Sequence, residues 1–125
     1  MVVVAPGWEV DVETLAGWLV VTVRRLAQDD ADPTPPLAEV VWRLLDQRAG
    51  LGLILDLGAL EILPSYLIGQ LVLLHKRATR AQRPFRLCGR SDDNRQVLHF
   101  ARLDEHFALY ANREEALGPS SYSPT

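Results

Sequence analysis

LGLILDL, residues 51–57, runs closely into PSYLIGQLVLLHKRATR, residues 64–80, and the way that junction is read decides the fold. The first stretch is short and almost wholly apolar, which predicts a central strand covered on both faces rather than a one-face-buried one. Pro64 disfavours helical geometry in the residue before it, and Ser65 is a natural N-cap, its hydroxyl able to accept from a free N–H of the turn that follows. From Ser65 to about Arg80 the spacing predicts a helix. At about 100° per residue, Leu67, Ile68, Leu71, Leu74, His75 and Ala78 group on one side, with Tyr66, Gly69, Leu73, Lys76 and Arg80 on the other. A buried strand thus gives way to an amphipathic helix at a single hydroxyl.

Outward from that joint, strands and helices alternate. WEVDVE at 8–13 alternates apolar and polar residues, and GWLVVTV at 17–23 is β-branched and aromatic, so both predict strands, joined by the short TLAG link. AQDDADPTPP at 27–36 is an acidic, proline-rich loop. Thr34 is placed to cap the next helix, with Pro35 at its first position, and Leu37, Val40, Val41, Leu44 and Leu45 form the buried stripe that RAG at 48–50 closes. Beyond the junction, RPFRLCG at 83–89 predicts a strand, Ser91 to about Arg102 a helix, and FALYA at 107–111 a last strand. Asn112 and Glu115 have capping-box spacing for a short final helix, and GPSSYSPT reads as a disordered tail. The order ββαβαβαβα predicts an α/β domain with a mixed, mostly parallel β-sheet flanked by α-helices, spanning residues 1–117, with 118–125 as the tail.

Composition bounds the function. A chain of 125 residues, 48% hydrophobic and 23% charged, fits one compact domain, and a formal charge of −3 shows no basic excess that would point to nucleic acid or an anionic membrane. Cys88 is the single cysteine, and the beginning MVVVAPGWEV lacks the basic head and long apolar core of a signal peptide. No apolar run approaches the roughly 18 residues that cross a bilayer. The expectation is a soluble cytoplasmic protein without direct membrane insertion. His75, His99 and His106 have no metal-ligand spacing, Cys88 ends an apolar strand where structural thiols are commonly inert, and GLG and GRS lack the lysine and spacing of a phosphate-binding loop. The basic residues of HKRATRAQR, 75–83, sit at a helix C-terminus, which favours cations. The paired acids Asp29-Asp30, Asp92-Asp93 and Glu114-Glu115 fall in loops or first turns. No catalytic residue, metal or cofactor is assigned, and the chain is expected not to be an enzyme.

LILDLGALEILPSYLIGQLVLLHKRA, followed by RPFRLCGRSDDNRQVLHFARLDEHFALYANREEAL, resembles the STAS domains, the fold of bacterial anti-sigma-factor antagonists. The resemblance covers about residues 17–117 and is strongest from Leu53 to Leu117. It rests on the strand ending Leu55-Asp56-Leu57, the serine at the next helix start, LVLLHKRA, the RLCG strand and the FALY…EEAL ending, in that order. In that family a serine or threonine at the helix start is phosphorylated by a partner kinase that doubles as anti-sigma factor, and Ser65 occupies the position. The family pattern sets an acid before the serine and a small residue and glycine after it, where this chain has Pro64, Tyr66 and Leu67.

Two non-enzymatic functions follow. In one, an anti-sigma-factor-antagonist-like regulator binds a serine kinase or anti-sigma factor through Tyr66, Gly69, Leu73, Lys76 and Glu61, and a phosphate on Ser65 breaks the contact by its charge. In the other, the chain is a constitutive STAS interaction or scaffold module, of the stress-signalling or lipid-transporter type, in which Ser65 is only a cap. The partner in both is a protein, and a homodimer is left open.

Overall fold

The computed structural model describes residues 2–5, 7–25, 36–60, 65–89, 108–110 and 112–118. Strands β1 (Val2–Ala5), β2 (Trp8–Leu15), β3 (Trp18–Arg25), β4 (Gly52–Asp56), β5 (Phe85–Cys88) and β6 (Ala108–Tyr110) form one sheet in that spatial order. The first three are joined antiparallel, and β3, β4, β5 and β6 run parallel to one another. Helices α1 (Leu37–Asp46), α2 (Ser65–Arg80) and α3 (Arg113–Leu117) complete the described elements. This is the mixed, mostly parallel α/β sheet that the sequence predicts.

Period-two alternation on β3 and β4 sorts the core into two layers. Leu19, Val21, Val23, Leu53, Leu55 and Leu57 pack with Leu37, Val41 and Leu45 of α1 and Leu67, Leu71 and Leu74 of α2. Trp18, Val20, Ile54 and Cys88 face the other way, against Ala116 of α3. β4 is therefore buried on both faces, the physical reason its run is continuous rather than alternating.

Three local readings change. β1 pairs antiparallel with β2, Val2 with Val10 and Val3 with Glu9, so the chain opens with a strand that the sequence reading did not include. The β2–β3 connection is only Ala16-Gly17, closed by the Leu15–Trp18 pair, with φ of 50° and 86°. Two positive φ angles suit the tight turn that matches strand twist, so both strands run longer than expected. Finally, α1 starts at Leu37 behind Pro36 without a side-chain cap, whereas Thr34 and Pro35 lie outside the described residues. The Ala38 N–H donates instead to Gln70 Oε1 of α2 at 3.0 Å, a cap supplied from another helix. At the last helix the N-cap half of the expected capping box is present, Asn112 Oδ1 accepting from the Glu115 N–H at 2.9 Å. The helix expected at 91–102 and the tail from 119 lie outside the described residues.

Gly52 shows how tightly the smaller layer is filled. A Cβ there would stand 2.6 and 2.7 Å from ring carbons of Trp18, and the Arg86 guanidinium stands 4.4 Å from the centroid of the same indole. The indole occupies the space of the missing side chain. Gly52→Ala is expected to displace Trp18 and lower stability by about 1–3 kcal/mol, the range of overpacking. Urea unfolding followed by tryptophan fluorescence checks this, and an unchanged midpoint would count against the packing described.

Candidate functional site

Helix α2 begins at Ser65, directly after the segment that leaves β4, so the serine is the first helical residue. Its side chain and Glu61 lie outside the described residues, and the capping bond expected of the hydroxyl stays an expectation. No acidic side chain stands in the first turn of α2, while Arg77 and Arg80 occupy its last. The amino end is thus a place where unpaired N–H groups and the helix dipole favour negative charge.

The helix projection holds residue by residue. Leu67, Leu71, Leu74 and Ala78 are buried. Tyr66 is 41% and Leu73 50% exposed, and Gly69, Lys76 and Arg80 are exposed on the same side. His75 is half-buried, its ring tilted against Phe85 with centroids 6.2 Å apart. Tyr66 is anchored on its inner edge: its ring meets buried Trp8 in a T-shaped contact, centroids 6.4 Å apart, and the Arg25 guanidinium stands 5.1 Å from the Trp8 ring. The first turn of α2 therefore rests on the start of β2. Gln70 and the Arg77–Glu39 pair at 3.4 Å fasten the same helix to α1. Four of the residues expected to contact a partner, Tyr66, Gly69, Leu73 and Lys76, come together as one exposed stripe leading away from Ser65.

A profile described as STAS domain matches residues 8–116. The chain belongs to the STAS family. Among solved structures, an anti-sigma factor antagonist from Mycobacterium paratuberculosis is 25% identical with a TM-score of 0.74, over 88% of this chain and 91% of that one. RsbS of Moorella thermoacetica, in a substituted form, is 23% identical with a TM-score of 0.67, over 82% and 86% of the two chains. The anti-sigma factor antagonist SpoIIAA in its unphosphorylated form is 14% identical with a TM-score of 0.58, over 86% and 93%. The last two show likeness of fold. A comparison with curated protein sequences returns no match.

The other face of this STAS domain carries a polar cluster that the sequence did not reveal. Arg113 at the start of α3 donates from Nη1 to Glu13 Oε1 at 3.1 Å and from Nη2 to Thr22 Oγ1 at 2.9 Å, and its Nε lies 3.6 Å from Asp56 Oδ2. The hydrogen bond to Glu13 contributes most to holding its proton above the ordinary arginine range. One guanidinium so joins α3 to β2, β3 and β4. Asp56 Oδ1 also accepts from the Gly58 N–H at 2.8 Å, shaping the exit from β4 toward Ser65. Asp56 could be picked out as the lone acid of an apolar strand. Nothing local singles out Arg113, because its partners are distant in the chain.

Cys88 is buried beside this cluster, and its thiol is pushed up from 9.0 to about 12, first by burial, then by the Asp56 carboxylate, with Arg113 opposing. The thiolate is the reactive form, so alkylation at pH 8 is expected to be slower in the folded chain than in urea by roughly a hundredfold or more. The raised value also fixes a sign. Above pH 9 the unfolded chain releases the Cys88 proton while the folded chain keeps it, so this contribution to stability, complete below pH 9, is lost progressively as pH rises toward 12. Rapid labelling of the native protein would contradict the placement. Among the described residues no three His, Cys, Asp or Glu side chains gather as metal ligands do, and no helix is long and apolar enough to cross a membrane.

Proposed function

We propose that this STAS domain is an anti-sigma-factor-antagonist-like regulator with no catalytic role of its own, which binds a serine kinase or anti-sigma factor through the outer face of α2 and is switched by phosphorylation at Ser65. The observation that carries the reading is the position of a serine as the first residue of α2, with Tyr66, Gly69, Leu73 and Lys76 exposed in line behind it. A phosphate there would meet free N–H groups and the positive end of the helix, so the fold tolerates it. It would bring close to two negative charges to the edge of an apolar contact, where charge is costly to desolvate. The M. paratuberculosis antagonist and SpoIIAA support the assignment to protein-mediated regulation.

Peptide mapping of the protein from its own cells, before and after incubation with host lysate and ATP, tests the switch. Phosphate on Ser65 is expected, and the kinase that places it becomes the binding partner to isolate. Ser65→Asp is then expected to lower affinity for that kinase at least tenfold while Ser65→Ala keeps it, measured by calorimetry. The second reading, a constitutive scaffold module, is favoured by one feature: Pro64 and the Trp8-anchored Tyr66 flank the serine where the family has an acid and a small residue. Full affinity in Ser65→Asp, or a well-covered Ser65 peptide that never carries phosphate, would establish that reading instead.

A further inference from the structure

Among the described residues nothing requires glycine at position 69. It sits in the interior of α2, is exposed, and lacks a positive φ, and a Cβ built on it would meet nothing within 4 Å. Glycine at such a place costs a helix about 1 kcal/mol relative to alanine, with no internal contact to offset it. Yet its neighbours on the stripe, Tyr66 and Leu73, are two of the three exposed large hydrophobic residues among those described. The helix presents a notch between two apolar ridges.

The spacing identifies an occupant. Residues 66, 69, 73, 76 and 80 follow steps of three and four in alternation, the seam along which one helix packs against another. The first three steps, from 66 to 76, also read alike from either end. An antiparallel two-fold pairing of α2 with α2 of another copy sets Leu73 of each chain into the Gly69 notch of the other, and Lys76 of each beside the Tyr66 ring of the other. Knob meets hole, cation meets aromatic face, and the two cationic helix ends lie at opposite edges of the contact. A foreign protein would have to supply that complement, whereas a second copy already has it.

We infer that the protein self-associates through this antiparallel α2–α2 contact, built on Leu73 in the Gly69 notch. About three helical turns on each side bury less than the roughly 800 Å² per partner of a standard interface, so the dimer is weak and concentration-dependent, with a midpoint on the order of 100 μM. The pairing does not depend on phosphorylation, but it covers the stripe assigned above to a regulatory partner, so the dimer and that complex exclude one another.

Sedimentation equilibrium of the full chain across a concentration series tests it. The wild-type chain is expected to pass from monomer to dimer, whereas Gly69→Arg, which fills the notch in open space with a better helix former, stays monomeric and folded by circular dichroism. Leu73→Ala, which removes the knob, is expected to weaken association at least tenfold. A mixture of Gly69→Cys and Leu73→Cys chains, with diamide as oxidant, should cross-link faster than either chain alone, which checks the register. A wild-type chain that stays monomeric to about 1 mM, or a dimer indifferent to Gly69→Arg, would overturn the inference. So would a monomeric wild type whose Gly69→Arg variant loses only a foreign kinase, an outcome that leaves the Ser65 proposal standing.

Discussion

Gly89→Ala is expected to prevent stable folding. A Cβ at residue 89 would lie 2.2 Å from the Gly58 nitrogen, 2.7 Å from the Leu57 carbonyl carbon and 2.8 Å from the Gly58 Cα, all backbone atoms that cannot swing aside. The residue also has φ of +105°, a conformation that side-chain-bearing residues rarely adopt and that alone costs on the order of 1–3 kcal/mol. The overlap adds to this, because the Leu57 N–H donates to the Cys88 carbonyl at 2.8 Å and holds the ends of β4 and β5 in register. Separating them would break that bond and shift the exit from β4 that Asp56 shapes on its way to Ser65. A loss of more than about 4 kcal/mol is expected, the upper range for a single substitution. Urea denaturation, or the soluble yield where nothing folded remains, measures it. A well-folded Gly89→Ala chain with an unshifted midpoint would mean that the two glycines do not touch as described.

Arg83→Ala is expected to lower stability by about 3 kcal/mol, since three backbone carbonyls lose a charged donor. The guanidinium donates from Nε to the Leu51 carbonyl at 2.7 Å, and from Nη2 to the carbonyls of Arg48 at 2.7 Å and Leu45 at 3.2 Å. These are the last turn of α1 and the chain entering β4; the Leu45 carbonyl also accepts from the Arg48 N–H at 3.0 Å, and the guanidinium supplies a charged donor to all three carbonyls where the helix ladder ends. A single side chain beyond the end of α2 thus ties α1, the α1–β4 connection and the start of β5 together. Arg83→Lys is expected to recover only part of the loss, because one ammonium cannot reach three carbonyls in a fixed fork. Comparing the two variants by chemical denaturation separates the role of geometry from that of charge. Equal stability of Arg83→Lys and the wild type would show that charge alone suffices.

Most of the architecture was legible because it depends on local pattern. The continuous apolar run of β4, the one-sided stripe of α2 and the Asn112–Glu115 cap each express a rule acting over a few residues, and the structure holds all three. The stripe of Tyr66, Gly69, Leu73 and Lys76 was legible for the same reason, since a helix of known phase leaves its outer face fixed. β1 was not, because four residues of VVVA have no period long enough to declare a strand and acquire their ladder only from β2. The start of α1 was placed two residues early, and the acceptor for the Ala38 N–H comes from Gln70, 32 residues away, which no local pattern announces.

What the sequence determined by itself is therefore the α/β class, the order of its main elements, and a serine opening an amphipathic helix whose outer face carries aromatic, aliphatic and cationic residues. Only the tertiary structure decided that Tyr66 leans on Trp8, that Arg83 closes the end of α1, and that Arg113 gathers Glu13, Thr22 and Asp56. The physical reason is the range of the forces involved. Periodicity and capping act between residues a few places apart and leave a record in the chain. A guanidinium chooses its oxygens, and a glycine its close neighbour, by proximity in space that exists only once the sheet has assembled.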